Sequence, residues 1–129
     1  MTTDPRPAAA PPSATALDAA AVARLRELDP SGQHGVVARV MATFDSSLRR
    51  MLTQLEAERG GGNATLVSGI AHTLKSSSAS VGALGLAAAC AEIEARLRAG
   101  DTSSLQSDIE RMLAEGQAAL HAVAATLAP

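Results

Sequence analysis

Phe44 is the only aromatic residue in this chain of 129, which has neither Trp nor Tyr. Any core must therefore be assembled from Ala, Leu, Val, Ile and Met. Ala and Leu stand at the favourable end of the helix scale, and hydrophobic residues make up 47% of the chain. The combination predicts an all-α protein. It also removes the aromatic platforms on which nucleic-acid bases stack.

One domain is the expected count at this length. The 11 basic and 13 acidic residues leave a net charge of −2 and are spread evenly. That balance lacks the basic face expected of a nucleic-acid or membrane-surface binder. A single cysteine, Cys90, excludes an internal disulfide, so nothing points to secretion. No segment approaches the roughly 18 apolar residues of a membrane span. No basic start followed by an apolar run marks a signal peptide. The expectation is a cytoplasmic protein with neither nucleic acid nor membrane as partner.

Pro5, Pro7, Pro11 and Pro12 fall in the first fifteen residues. Residues 1–15 therefore read as a disordered Pro/Ala-rich tail, with the folded domain over 16–128. A short helix is expected from Asp18, with Leu17, Ala21, Leu25 and Leu28 on one stripe and Pro30 with Gly32 ending it. A long helix follows over about 33–59, where Val36, Val40, Phe44, Leu48, Met51, Leu52 and Leu55 recur at helical spacing. The triple glycine 60–62 stops it. Asn63 is placed to cap a third helix over about 64–80, and Gly82 to break it. A fourth helix, about 83–99, carries Leu86, Cys90, Ile93 and Leu97 on one stripe. A fifth, about 104–127, follows possible caps at 101–104 and carries Leu105, Ile109, Met112, Leu113, Leu120, Val123 and Leu127. Four amphipathic helices joined by short loops predict an antiparallel four-helix bundle, with the short first helix covering one end.

The third helix carries the chemistry. At 100° per residue, Leu66, Val67, Ile70, Leu74 and Val81 share one arc, which must face the core. His72 falls opposite, among Thr65, Ser68, Gly69, Lys75, Ser76 and Ala79. A solvated face ordinarily carries long polar side chains; here only Lys75 is long. The imidazole should stand clear on a rigid helix, where a partner surface can descend over Ser68, Gly69, Lys75, Ser76 and Ala79. An exposed histidine is commonly only a solvated side chain. This setting favours a nucleophile, because an ordinary imidazole titrates near pH 6.5 and keeps a neutral fraction at pH 7. A phosphoryl group on it adds up to about two negative charges. Lys75, one turn on, is placed to offset them, and Ser76 to donate a hydrogen bond. No general base or metal cluster is evident nearby, so a carrier of phosphoryl groups fits better than a hydrolase.

The run Ala71-His72-Thr73-Leu74-Lys75-Ser76-Ser77-Ser78-Ala79-Ser80-Val81-Gly82-Ala83 closely resembles the motif of histidine-containing phosphotransfer (HPt) domains: roughly His-x-Leu-Lys-Gly-Ser, small residues, then Gly-Ala. The segments Cys90-Ala91-Glu92-Ile93-Glu94 and Leu17 to Pro30 resemble the family too, so the likeness spans about 17–127. It implies the HPt four-helix bundle, usually monomeric. It implies that His72 takes a phosphoryl group from the aspartyl phosphate of a receiver domain and passes it to another. The partners implied are receiver domains of response regulators or of a hybrid sensor histidine kinase. The receiver would supply Mg²⁺ and most catalytic groups. The chain itself would then hold no cofactor and would not count as an enzyme. Lys75 matches the family's lysine beside the histidine. Two departures stand out. The family's glycine after the lysine is Ser76 here, and the glutamine that in many members hydrogen-bonds the histidine corresponds to Glu94. Glu94 either points toward His72, accepting from its ring N–H and fixing the tautomer, or is a solvated salt-bridge partner.

Other residues read more plainly. Cys90 belongs to the core, and Gly116 permits close helix packing. His34 and His121 are solvated or off-stripe, and Arg49, Arg50, Arg96 and Arg98 are face residues, some of which rim a receiver interface. Three other functions compete with the receiver-fed carrier: a phosphotransfer domain fed directly by a chemotaxis-type kinase, a helical module that binds receivers without carrying phosphate, and an enzyme using His72 as general base. The histidine–lysine pair weighs against the second of these. The lack of another catalytic group weighs against the third.

Overall fold

A computed structural model describes residues 16–128. The tail expected over 1–15 lies outside the described residues. Among them all regular structure is helical: α1 (Ala19–Glu27), α2 (Val36–Ala57), α3 (Ala64–Val81), α4 (Leu84–Arg98) and α5 (Leu105–Leu127). Helices α2 to α5 pack in a closed cycle, each on its two neighbours, and α1 lies across α2 and α3. The closest-packed pair is α3 with α4, joined by only Gly82 and Ala83.

The core is aliphatic, as the composition requires. Met41, Leu48, Leu55, Leu74, Leu86, Ile93, Ile109 and Met112 are fully buried, with Phe44 near them. Each such side chain contributes roughly 1.5–3 kcal/mol of burial. Cys90 is buried among them, and burial pushes its thiol up to about 12. Gly116 faces α2 so closely that a β-carbon there would come 2.5 Å from a Leu52 methyl.

Side chains set several helix ends. Asp18 accepts from the Ala21 N–H at 3.1 Å, and Asn63 from the Leu66 N–H at 3.0 Å. These bonds satisfy helix N–H groups that have no intrahelical acceptor. Gly82 ends α3 in the left-handed region, with φ of 88°. Its carbonyl accepts from the Asp18 N–H at 2.8 Å, which fastens the start of α1 to the end of α3.

Five expectations are corrected, the first that Leu127 shares the buried face of α5: it is exposed at 43%, as the last residue of that helix. Helix α2 begins at Val36, not near residue 33, because Gly32 and Gly35 turn the chain with φ of 74° and 62°. The cap comes from Asp29, whose Oδ2 accepts from the His34 and Val36 N–H groups at 3.0 and 3.3 Å. Leu28 is exposed at 69% rather than part of the stripe, because α1 has already ended at Glu27. Leu66 is half-buried at the margin of the core, while Val67 beside it in the same turn is fully buried. No side chain over 101–104 caps α5: Asp101 instead accepts from the Ser103 N–H and hydroxyl, and Ser104 makes no side-chain cap bond.

Candidate functional site

The core residues of α3 are Val67, Ile70, Ala71, Leu74, Ser78 and Val81. Their spacing rotates His72 to the far side, where its side chain is 66% exposed. Helix α4 runs alongside, and its stripe of Leu86, Cys90, Ile93 and Leu97 is buried. Glu94 sits at the margin of that stripe and faces α3. Its side chain is only 5% exposed.

Burying a carboxylate is costly unless donors meet it. Two helices supply them. Lys75 Nζ donates to Glu94 Oε1 at 2.7 Å. His72 Nδ1 lies 2.7 Å from Oε2. Arg98, one turn along α4, reaches the same oxygen at 3.5 Å. The bond from Lys75 holds the Glu94 carboxyl below the usual glutamate range; burial opposes this, and the bond from His72 adds to it. Glu94 is therefore ionised at neutral pH and can only accept. It follows that His72 Nδ1 carries the proton. Nε2 is left with its lone pair, and it has no hydrogen-bond partner among the described residues.

The small residues around the histidine divide between two places. Ser68 is half-buried and Gly69 exposed, and both line an open cleft of about 450 Å³ on the N-terminal side of His72, with Thr65, Glu94 and Arg98. A β-carbon on Gly69 would meet nothing within 4 Å, so no contact within the chain calls for glycine there. Ser76 and Ala79 are exposed beyond the histidine, outside the cleft. Lys75, half-buried, is the only lysine of the chain; the other long cations are all arginine. The hydroxyls of Ser77 and Ser80 are taken up by their own helix, donating to the carbonyls of Thr73 and Ser76 at 3.2 and 3.1 Å.

Of the arginines read as face residues, Arg96 pairs with the buried Asp108 and ties α4 to α5. Arg98, read from the sequence only as one of several face residues that could rim an interface, borders the histidine and contacts Glu94. The available signal was its spacing, four residues after Glu94 and so on the same helix face. Among the described residues no group of three or more His, Cys, Asp or Glu side chains gathers as a metal site.

Comparison with known proteins bears on the same region. The Hpt domain family model matches residues 39–126. No curated protein matches the sequence. The crystal structure of histidine-containing phosphotransfer protein B (HptB) from Pseudomonas aeruginosa PAO1 is similar, with a TM-score of 0.72 and 26% identity. The match covers 85% of this chain and 92% of that one. The exposed imidazole thus stands within the span of the family match, on a bundle shared with a phosphotransfer protein, and the chain belongs to the Hpt domain family, with a phosphotransfer role in a His–Asp phosphorelay.

Proposed function

We propose that this chain is the phosphocarrier between two receiver domains, and that His72 Nε2 is the atom that carries the phosphoryl group. The observation that supports this most directly is the 2.7 Å contact between Nδ1 and the ionised Glu94, on a ring that is otherwise open. In the forward step the Nε2 lone pair attacks the phosphorus of a receiver's aspartyl phosphate. The P–O bond breaks, its electron pair leaves with the aspartate, and an N–P bond forms. Nδ1 keeps its proton, so the ring acquires positive charge as the bond forms. Glu94, already aimed at Nδ1, offsets that charge without having to reorganise. Passing the group to a second receiver reverses each bond change.

Lys75 is the electrostatic partner of the transferred group in this account. Its ammonium is a compact charge on a flexible stem, held at Oε1 beside the histidine. Ser76 and Ala79 keep the approach low on one side of the ring, Ser68 and Gly69 on the other. The receiver brings Mg²⁺ and the remaining catalytic groups.

The test is transfer from a phosphorylated receiver in the presence of Mg²⁺, comparing the wild type with His72→Gln. The wild type acquires an acid-labile, alkali-stable label and His72→Gln acquires none. Loss of the Nδ1 donor to the enclosed Glu94 carboxylate is expected to cost about 1–3 kcal/mol, so circular dichroism is used to show that His72→Gln is folded and that the lost label reports the missing nucleophile. Equal labelling of the two proteins contradicts the assignment. Labelling of the wild type only by a kinase domain, never by a receiver, moves the chain to the start of a relay.

A further inference from the structure

Arg98 is placed differently from the other paired arginines. Arg59 grips Glu110 through two bonds of 2.7 and 2.9 Å, Arg111 grips Glu92 at 3.1 and 3.2 Å, and Arg49 holds Asp45 at 2.7 Å. Arg98 has one contact, at 3.5 Å, with an oxygen that already accepts a hydrogen bond from His72 Nδ1. Its side chain is 69% exposed and borders the cleft beside the histidine. At rest the site holds one carboxylate, Glu94, against two fixed cations, Lys75 and Arg98. It therefore has positive charge to spare until a phosphoryl group arrives with up to about two negative charges.

We propose that Arg98 is a phosphoryl-binding residue: once His72 is phosphorylated on Nε2, its guanidinium leaves Glu94 and binds the phosphoryl oxygens from the cleft side. The inference rests on the phosphoacceptor reading of His72. The movement is short, since arginine and imidazole start on the same carboxylate oxygen. It sacrifices little, because a 3.5 Å contact is at the limit of hydrogen bonding. The planar fork of arginine fits two phosphoryl oxygens at once, which an ammonium does not. Lys75, at 2.7 Å from Oε1, stays with Glu94 and keeps the carboxylate compensated while Arg98 is away. Thr65 and Ser68 line the same cleft.

A cation on the phosphoryl group favours its dianion, so the second ionisation of that group reports Arg98 directly. The wild type, Arg98→Gln, Arg98→Lys and His72→Gln are each phosphorylated with phosphoramidate, a small P–N donor that needs no receiver. The ³¹P resonance is then followed against pH. His72→Gln identifies the His72 signal against those of the exposed His34 and His121. The midpoint for Arg98→Gln is expected about half a pH unit above the wild type, the effect of one charge some 5 Å away in a watery setting. Arg98→Lys, which keeps the charge without the fork, falls between them. Coincident curves for wild type and Arg98→Gln, with helicity unchanged, overturn the role of Arg98 and leave His72 as acceptor. Absence of a His72 signal from the wild type removes the acceptor reading, and the role of Arg98 with it.

Discussion

A carboxylate as enclosed as Glu94 is stable only because donors meet it, and each donor shapes the chemistry beside it. Lys75 keeps it ionised. An ionised Glu94 in turn decides which nitrogen of His72 holds the proton, and so which is free to react. This chain of dependence makes the titration of Glu94 informative. Its partners favour the charged form, so the folded protein binds the proton more weakly than the unfolded chain does. The stabilisation from Glu94 is therefore complete above the ordinary glutamate value, about 4.3, and is lost as pH falls through the lowered one. The side-chain ¹³C resonance of Glu94 is expected to titrate with a midpoint below about 4.3, and in Lys75→Ala the midpoint moves back up. A wild-type midpoint at or above the ordinary value contradicts the network. At this scale the sequence was partly legible. The histidine, the lysine and the small residues share a helical face that the 3.6-residue period exposes. The direction of Glu94 was not decided, because a residue at the margin of an apolar stripe can turn either way until the neighbouring helix is in place. Arg98 was grouped with three other face arginines because its contact depends on a carboxylate whose own direction was open.

Each helix was recognisable from its apolar period, and the ends were less so. Asn63, Asp18 and Gly82 are local signals, and each acts where it stands. Asp29 caps α2 from across a loop, through a conformation that depends on Gly32 and Gly35 together. No window of sequence displays that arrangement. The seam at Gly82 is the most exacting of these features. Its φ of 88° disfavours any side chain. A β-carbon there would lie 2.8 Å from the Asp18 backbone nitrogen and 3.1 Å from the Ala21 methyl. Gly82→Ala is expected to destabilise the protein by about 1–3 kcal/mol, from the left-handed backbone and the displacement of α1. Urea unfolding followed by circular dichroism measures it. A change below about 0.5 kcal/mol, the size of an ordinary surface substitution, contradicts the seam.

On the scale of the whole molecule, the bundle holds one imidazole out to solvent on a helix whose other face is core. The core lies on one side of α3, the imidazole on the other, and α4 sets the ring's orientation through Glu94. The family match begins at residue 39, so α1 and the first turn of α2 stand outside it. They close the end of the bundle where α3 stops, away from the mid-helix position of His72. Among the described residues no helix is long and apolar enough to cross a membrane. The fold class was readable because an Ala- and Leu-rich chain without aromatic bulk has few other ways to build a core. Long-range pairs such as Arg59 with Glu110 and Arg96 with Asp108 were not, since they join residues that only the finished bundle brings together.

The most direct test is to find which atom bears the phosphate. The protein, ¹⁵N-labelled on histidine, is phosphorylated by a receiver and its ring nitrogens are observed by ¹H–¹⁵N and ³¹P correlation. The account predicts a single N–P bond at Nε2 of His72, with the proton retained on Nδ1 facing Glu94. Phosphate on Nδ1, or on any residue other than His72, would contradict it.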